Sequence, residues 1–468
     1  MYNILTLNKI SPVGIANLTD NYKVSDTMEN PEGILLRSFK MHDMELPESL
    51  LAVARCGAGV NNIPIDKCSD KGIVVFNTPG ANANAVKELV IASLFLASRD
   101  IVGGYNWAQT LTEGVAAAVE KGKGKFVGPE ITGKTLGVVG LGAIGVLVAN
   151  TAVELGMKVI GYDPYLSVNG AMHLKTRVKY TQNLDDIYQN CDYITVHVPL
   201  NDATRGMINA QALAKCKMGV RVLNLSRAEL VDNAAIKEAI QSGKVAKYLT
   251  DFPTEETVGV ENIITIPHLG ASTPEAEDNC AVMAVDEIMD YLENGNITNS
   301  VNFPNCSLPD NGKDRICVIN KNIPSSIALI AGVLGEKGIN IDHMVNANKG
   351  DNAYTLFTID GKADESIIEA MVKINTEISV GEHKAKTIKA VSFTGFYRVL
   401  KAPPCSRIIA HSVIACMRIL WNLIRARPTY PLRHVFQFRR KVINLRYHLY
   451  TPTRLIVLTT QAQLLRRQ

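Results

Sequence analysis

The chain has 468 residues, which is too long for one ordinary hydrophobic core and predicts two to four domains. Its hydrophobic content is 47%, and no run of ~18 uncharged apolar residues indicates a membrane span. The N-terminus lacks the pattern of a secretion signal, and the nine cysteines contain no CxxC pair, which argues against a disulfide framework and a zinc site. We therefore expect a cytoplasmic protein without a metal.

The net charge of +4 is unevenly distributed along the chain. Residues 391–468 carry 14 lysines and arginines and no acid, whereas the residues before them carry 35 basic and 45 acidic side chains. Such a basic segment could bind anionic lipid or nucleic acid. The alternative is a fusion or a mistranslated extension without an evolved fold. We favour the alternative, and expect neither a nucleic-acid nor a membrane partner.

Residues 1–98 alternate short β-rich runs with helical stretches, a pattern that predicts βα units and a parallel sheet. Long helices are predicted over 84–109 and 274–294. Because these two helices flank a second α/β unit, we expect the chain to return through them to the first domain. That path leaves a cleft between two lobes.

The βα alternation resumes at Lys134 with near-continuous apolar strands. Helices are predicted between these strands over 143–155, 184–190 and 234–242. Apolar strands separated by helices are typical of a doubly wound sheet that is buried on both faces.

Residues 300–312 are rich in Pro, Asn and Ser and are typical of a linker. Residues 314–390 then follow a βαββαβ pattern, with helices predicted over 324–337 and 364–373 and a last strand over 383–389. This order predicts a small ferredoxin-like α+β module.

The predicted fold class is therefore α/β, with two doubly wound parallel-sheet lobes, one Rossmann-type and one flavodoxin-like, and a C-terminal α+β module. The predicted domains are 1–98 with 280–305 for the flavodoxin-like, substrate-binding lobe, 99–279 for the Rossmann-type lobe, 313–390 for the module and 391–468 for the basic tail.

A glycine-rich turn, "GLGAIG", follows one predicted strand and opens a helix. In this position glycines let the backbone approach a pyrophosphate, and the helix N-terminus offers N–H donors. Asp163, 18 residues beyond the last glycine, ends the next strand and can accept hydrogen bonds from a ribose, which favours NAD over NADP. We therefore predict an NAD site that includes Gly140, Gly142, Ala143, Ile144, Gly145 and Asp163.

Three charged residues follow successive strands of the second lobe, where an open α/β sheet binds its ligands: Arg227, Glu255 and His268. Taken singly, they are more often a surface ion pair, a loop acid and a structural histidine. Beside an NAD site, they match the oxidation of a 2-hydroxy acid. The arginine pairs with the carboxylate, the histidine takes the hydroxyl proton, and the acid orients the histidine and raises its pKa.

The chain resembles the D-2-hydroxyacid dehydrogenases over roughly residues 1–390, and among them the enzymes that act on 3-phosphoglycerate. The resemblance rests on the motifs "GAGVNNIPID", "NTPGANANAVKEL", "GLGAIG", "HVPL", "NLSRAELVD", "DFPTEE" and "IPHLGAST". It implies catalytic roles for Arg227, Glu255 and His268. The cofactor contacts that it implies are Asp251, at the nicotinamide carboxamide, with His197, Pro199 and Ser226.

Two departures from the family pattern affect the implied site. Ala228 follows the arginine where the family usually has glycine, and the "TDFPTE" segment is short. The short segment leaves Glu255 and Glu256 as alternatives for the acid; Glu255 keeps the F-P-T-E run in phase.

The resemblance implies that the substrate is 3-phosphoglycerate, oxidised to 3-phosphohydroxypyruvate at the entry to serine biosynthesis. Its carboxylate would meet the backbone of Ala58 and Gly59, and its phosphate would meet Arg37 and Ser38. The alternatives are another hydroxy acid, such as glycerate, lactate or glyoxylate, and an NAD-sensing corepressor without catalysis.

Residues 314–390 resemble an ACT domain, a regulatory fold that binds amino acids. The resemblance implies serine binding at Asn322, with Asn340 supplied by a second subunit of a homodimer or homotetramer. Asn320 and Ser325 stand where serine-sensing relatives usually have histidine and glycine. A purely structural, dimerising module is therefore the alternative.

Overall fold

The computed structural model describes residues 1–364 and 366–371 and the backbone of 389–392. The predicted strand residues 383–388 and nearly all of the predicted basic tail, 393–468, lie outside the described residues.

The described strands in chain order are β1 (Tyr2–Thr6), β2 (Tyr22–Ser25), β3 (Gly33–Leu36), β4 (Ala52–Arg55), β5 (Val74–Asn77), β6 (Thr135–Val139), β7 (Lys158–Tyr162), β8 (Val178–Thr181), β9 (Tyr193–Val196), β10 (Val220–Asn224), β11 (Val245–Thr250), β12 (Ile263–Thr265), β13 (Asp314–Lys321), β14 (Asn340–Lys349), β15 (Asn352–Asp360) and β16 (Lys389–Ser392). The helices are α1 (Pro12–Ile15), α2 (Ile65–Asp70), α3 (Ala83–Ser98), α4 (Ile101–Gln109), α5 (Val115–Gly122), α6 (Ala143–Glu154), α7 (Val168–His173), α8 (Leu184–Asn190), α9 (Ala210–Lys215), α10 (Asn233–Gln241), α11 (Pro274–Asn294) and α12 (Ser326–Glu336).

The first lobe is a parallel sheet in the order β2-β1-β3-β4-β5, which is the flavodoxin-like order. Its strands are almost wholly apolar because helices cover the sheet; β3, for example, is buried along its whole length. Helix α11 packs on this lobe through its buried face, which includes Ala281, Ala284 and Ile288.

The second lobe is a parallel seven-stranded sheet in the order β12-β11-β10-β9-β6-β7-β8. The chain reverses direction across the sheet between β6 and β9, and this switch point is where Rossmann-type sheets bind nucleotides. The predicted α/β class with a Rossmann-type and a flavodoxin-like lobe is confirmed.

The predicted boundary between the lobes needs correction at α3. The predicted domain bounds place this helix in the first lobe, but its residues Val86, Val90 and Leu94 are buried in the core of the second lobe. The predicted helix over 84–109 is also two helices. Arg99 is extended, and the carboxylate of Asp100 accepts a hydrogen bond from the Gly103 N–H, so that Asp100 caps a new helix.

The C-terminal module is an antiparallel sheet in the order β14-β15-β13-β16, with α12 and a helical turn over 366–371. This is the strand order of a ferredoxin-like fold. Residues 300–306 pack on the first lobe, where Ser300 pairs with Phe76 and Phe303 is completely buried. This packing agrees with the predicted domain bounds, 280–305, and not with a linker that begins at residue 300.

Candidate active site

The glycine-rich turn joins β6 to α6 at the switch point of the second sheet. Gly140 has a φ of +94°, and a Cβ at Gly145 would lie 1.8 Å from the carbonyl oxygen of Gly140, so only glycine allows this turn. A Cβ at Gly142, by contrast, would meet nothing within 4 Å. The turn therefore leaves open space beside its backbone, as a bound pyrophosphate requires.

Asp163 lies at the end of β7, next to the glycine-rich turn. Its Oδ2 accepts a hydrogen bond of 2.8 Å from the Leu141 N–H, and its Oδ1 accepts one of 2.8 Å from the Tyr165 N–H. These bonds hold a carboxylate beside the turn. A carboxylate here repels a ribose phosphate and accepts from ribose hydroxyls, which fits NAD.

Two buried polar atoms at the carboxyl ends of the sheet have no hydrogen-bond partner among the described residues: Asp251 Oδ1 and His197 Nδ1. The other oxygen of Asp251 accepts from the Gly270 N–H, and burial raises the pKa of this carboxyl against the opposing effect of His268. Burial lowers the pKa of His197 to about 4, so its ring is neutral at physiological pH. The two unpartnered atoms fit a polar ligand such as the nicotinamide carboxamide.

Four further residues that are predicted to bind the cofactor lie near this region, and their positions and contacts differ. Ser226 donates its hydroxyl to the Val196 carbonyl at 2.7 Å, so this hydroxyl joins β9 to the end of β10. Pro199 is exposed after β9, while Ala143 and Ile144 form the first turn of α6.

Two of the three predicted catalytic residues, Arg227 and His268, line a cleft of about 840 Å³ together with residues of the first lobe. The second lobe contributes Arg227, Phe252 and His268 to the lining, and the first lobe contributes the loop that contains Ala58 and Gly59. A Cβ placed on Gly59 would lie 3.4 Å from the Arg227 guanidinium. The predicted carboxylate-binding loop and the predicted arginine are thus brought together.

His268 has a backbone φ of +45°, which is unusual for a residue with a side chain. Its N–H donates to the Asp251 and Ile266 carbonyls, both at 3.0 Å, and its ring packs 5.0 Å from the Phe252 ring. Strained residues held by their surroundings are concentrated at functional sites.

The predicted contact of Glu255 with His268 is absent from the described structure. Hydrogen bonds between Thr254 and Thr257 close a tight turn, and this turn leaves both Glu255 and Glu256 exposed and outside the cleft lining. The carboxylate that interacts electrostatically with His268 is Asp251.

The cleft contains a further arginine that was not predicted, Arg55, which ends β4. Its Nε donates to the Arg37 carbonyl at 3.0 Å, and its pKa is lowered by burial and by the neighbouring Arg227. A signal for it exists in the sequence, because Arg55 ends a strand two residues before the "GAGVNNIPID" motif. Lys9 also lines the cleft.

The predicted phosphate-binding residues are held by the side chain of Asn8. Its Oδ1 accepts hydrogen bonds from the backbone N–H groups of Arg37, Ser38 and Phe39 at 2.9–3.0 Å. Arg37 lines the cleft, but its guanidinium forms an ion pair of 2.5 Å with Glu277, which the sequence analysis does not anticipate.

Comparisons with known proteins agree with this geometry. Residues 91–270 match the family model described as D-isomer specific 2-hydroxyacid dehydrogenase, NAD binding domain. D-3-phosphoglycerate dehydrogenase of Escherichia coli K12 is 31% identical over 365 residues, which are 75% of this chain and 85% of that protein. The chain belongs to the D-2-hydroxyacid dehydrogenase family.

This chain covers a smaller share of some other relatives in the family. D-3-phosphoglycerate dehydrogenase of Pongo abelii is 37% identical over 287 residues, which are 59% of this chain and 51% of that protein. The chain thus spans about half the length of several curated relatives that it matches. The crystal structure of NAD⁺-bound 3-phosphoglycerate dehydrogenase of Entamoeba histolytica has the same fold, with a TM-score of 0.51 and 24% identity over 64% of this chain and 98% of that one.

Membership of the family accounts for the NAD-binding domain. In the part of the chain that the structure describes, no group of three metal-binding side chains occurs, and no helix meets the length and hydropathy of a membrane span.

The module places the two predicted effector residues far apart within one chain. Asn322 follows β13, whereas Asn340 begins β14 at the opposite end of the sheet, where its amide donates to Asp360 at 2.8 Å. A ligand that contacts both asparagines would therefore need two subunits. Asn320 is buried, and its Oδ1 has no partner among the described residues.

Proposed function

We propose that the chain is an NAD-dependent dehydrogenase that oxidises 3-phosphoglycerate to 3-phosphohydroxypyruvate, the first step of the phosphorylated route to serine. The observation that carries the proposal is the charge pattern of the cleft. Four cations line it, Arg227 from the second lobe and Lys9, Arg37 and Arg55 from the first, against two carboxylates, Glu229 and Glu277. This excess of positive charge favours a substrate that carries two anionic groups, a carboxylate and a phosphate.

The residues of the cleft divide the reaction between them. Arg227 pairs with the substrate carboxylate, which the backbone at Gly59 also meets, and so fixes C2. His268 takes the proton of the C2 hydroxyl as a general base. Bound NAD supplies the acceptor for the hydride that leaves C2. The carboxyl of Asp251 interacts electrostatically with His268 and supports it in this role.

Glu255 stays in the proposal as a second acid that supports His268 when the turn over 254–257 opens. The family resemblance is its support. Paired variants test this role: E255Q should lower turnover, whereas E256Q, which removes the same charge from the same exposed turn, should not. Equal activities of the two variants would leave Asp251 as the supporting carboxylate.

The assay for the proposal is NADH formation with 3-phosphoglycerate and, separately, with D-glycerate. Loss of a positioned general base lowers rates by about 10²–10⁴-fold, so we expect H268A to lose turnover to that extent. NAD binding, measured by calorimetry, should remain. Turnover of glycerate without turnover of the phosphorylated acid would reject the proposed substrate.

One observation favours a second candidate, oxidation of an unphosphorylated D-2-hydroxy acid. Arg37, the predicted phosphate ligand, is already neutralised by Glu277. The same two-substrate assay decides between the candidates.

We propose that the protein forms a homo-oligomer. Helix α4 buries no residue, and Ile101, Val102 and Tyr105 are exposed, Tyr105 by 63%. Apolar side chains grouped in this way mark protein interfaces. Light scattering should give the mass of at least a dimer, and Y105E should lower it; a monomeric wild type would reject the proposal.

The proposal extends to the location and to a serine effector. All seven described cysteines are free and buried, which supports a reducing, cytoplasmic setting.

Serine binding between Asn322 and Asn340 of two subunits is supported by the resemblance to ACT domains. Inhibition by serine that N322A abolishes would support it; absence of inhibition would favour a structural module.

A further inference from the structure

The arginine that is predicted to bind the phosphate already forms an ion pair with an acidic residue. Glu277 lies in the first turn of α11, and its Oε1 is 2.5 Å from Nη1 of Arg37, which follows β3. Both side chains line the cleft and are partly exposed, by 46% and 42%. The pair therefore faces the space that a substrate enters.

The backbones on both sides of this pair are fixed. Asn8 holds the N–H of Arg37, and the carbonyl of Arg37 accepts from Arg55. On the other side, the Glu277 N–H donates to the Thr273 carbonyl at 3.1 Å at the start of α11. Because the main chains are held, the ion pair can open by rotation of the two side chains alone.

We propose that Glu277 is a specificity-determining residue, a carboxylate that pairs with Arg37 until the phosphate of a substrate displaces it. A phosphate must break this pair and then bind near a negative charge, so Glu277 lowers the affinity of the cleft for phosphorylated acids. An unphosphorylated acid leaves the pair intact. The inference rests on the proposed function, because it names a determinant of substrate choice at the same site.

The expected effect is modest because the pair is partly exposed. Ion pairs of this kind contribute little free energy, and breaking one changes an affinity by about two- to fivefold. A measurable change in substrate preference is expected.

The first experiment compares E277Q with E275Q in the full-length protein. Glu275 is an exposed acid of the same first helical turn that does not line the cleft, so E275Q controls for charge lost at the N-terminus of α11. We expect E277Q to lower the KM for 3-phosphoglycerate about two- to fivefold, with little change for D-glycerate. E275Q should change neither value. An increased KM in E277Q, an equal effect on both substrates or an equal effect of E275Q would overturn the inference.

A double-mutant cycle tests whether Glu277 acts through Arg37. In an R37Q background, the further change E277Q should have no effect on the KM for 3-phosphoglycerate, because the ion pair between Arg37 and Glu277 is already absent. If E277Q improves binding by the same factor in both backgrounds, then Glu277 repels anions in general and does not occupy Arg37.

Sulfate binding separates a failure of this inference from a failure of the proposed function. Calorimetry measures the affinity for inorganic sulfate without turnover. We expect tighter binding to E277Q than to wild type and E275Q, even if the protein does not oxidise 3-phosphoglycerate. Equal sulfate affinities, or no sulfate binding by any of the three proteins, would reject Glu277 as the residue that occupies the anion site.

Discussion

Glu287 on α11 is a buried carboxyl that links folding to pH. Burial raises its pKa from 4.5 to about 8, although Asn299 donates a hydrogen bond to it at 2.7 Å. The folded state thus binds this proton more tightly than the unfolded state. The resulting stability is complete below pH 4.5 and is lost as the pH rises through 8.

We therefore expect the wild type to lose unfolding free energy relative to E287Q between these two pH values. The slope is at most about 1.4 kcal/mol per pH unit. Urea unfolding at several pH values measures the difference, and E275Q, a change at an exposed acid of the same helix, serves as the control. Parallel pH profiles of wild type and E287Q would show that Glu287 is ionised in the folded protein.

Two glycines of the cofactor turn should respond differently to alanine. G145A places a Cβ 1.8 Å from the Gly140 carbonyl oxygen, so we expect a displaced turn, a lower melting temperature and loss of NAD binding. G142A meets open space and should melt like the wild type. Its NAD affinity should still fall, because the methyl group fills the space left for the pyrophosphate. Calorimetry decides; unchanged NAD affinity in G142A would contradict the placement of the pyrophosphate.

Elements with strong periodicity could be predicted from the sequence, and local exceptions could not. The predicted helix over 184–190 matches α8, and the predicted helix over 274–294 matches α11. The break between α3 and α4 escapes prediction because both sides have the same apolar pattern, while a single capping residue, Asp100, separates them. Its capping role predicts that D100A costs about 1 kcal/mol of unfolding free energy.

A measurement of D100A needs a control for charge, since Asp100 also lies 3.5 Å from Lys247. D100N keeps a side chain that can cap the helix and removes the charge, so it should be nearly as stable as wild type in urea unfolding. If D100N loses as much stability as D100A, the ion pair and not the cap holds the start of α4.

In the candidate site, too, the positions of strand ends could be predicted from the sequence, whereas the contacts of loop residues could not. Strand ends could be predicted from apolar runs, and Arg227 and His268, which follow two of these strands, line one cleft. The orientation of Glu255 depends on a turn closed by two threonines, and the partner of Arg37 comes from a helix 240 residues later in the chain. Contacts of this kind are set by tertiary packing, which residue patterns do not encode locally.

At the scale of the whole molecule, the C-terminal module is joined to the first lobe by a continuous apolar core. Cys317 and Tyr354 of the module are buried in the same cluster as Tyr291 and Phe303. The Tyr354 hydroxyl donates to the Gly295 carbonyl at 2.6 Å, at the end of α11. A module tethered only by a linker would lack these contacts, so we expect the two parts to unfold together.

Hydrogen exchange of two core variants tests this cooperativity. F303A, in the shared core, should lower protection of β4 and of β13 and β15 by the same free energy, about 3–5 kcal/mol. L334A lies in a core that belongs to the module alone, between α12 and the sheet. If the module and the first lobe form one cooperative unit, L334A must also lower protection in β4. If its effect is confined to β13 and β15, the module opens independently, and a ligand bound there could not act on the cleft through the stability of the first lobe.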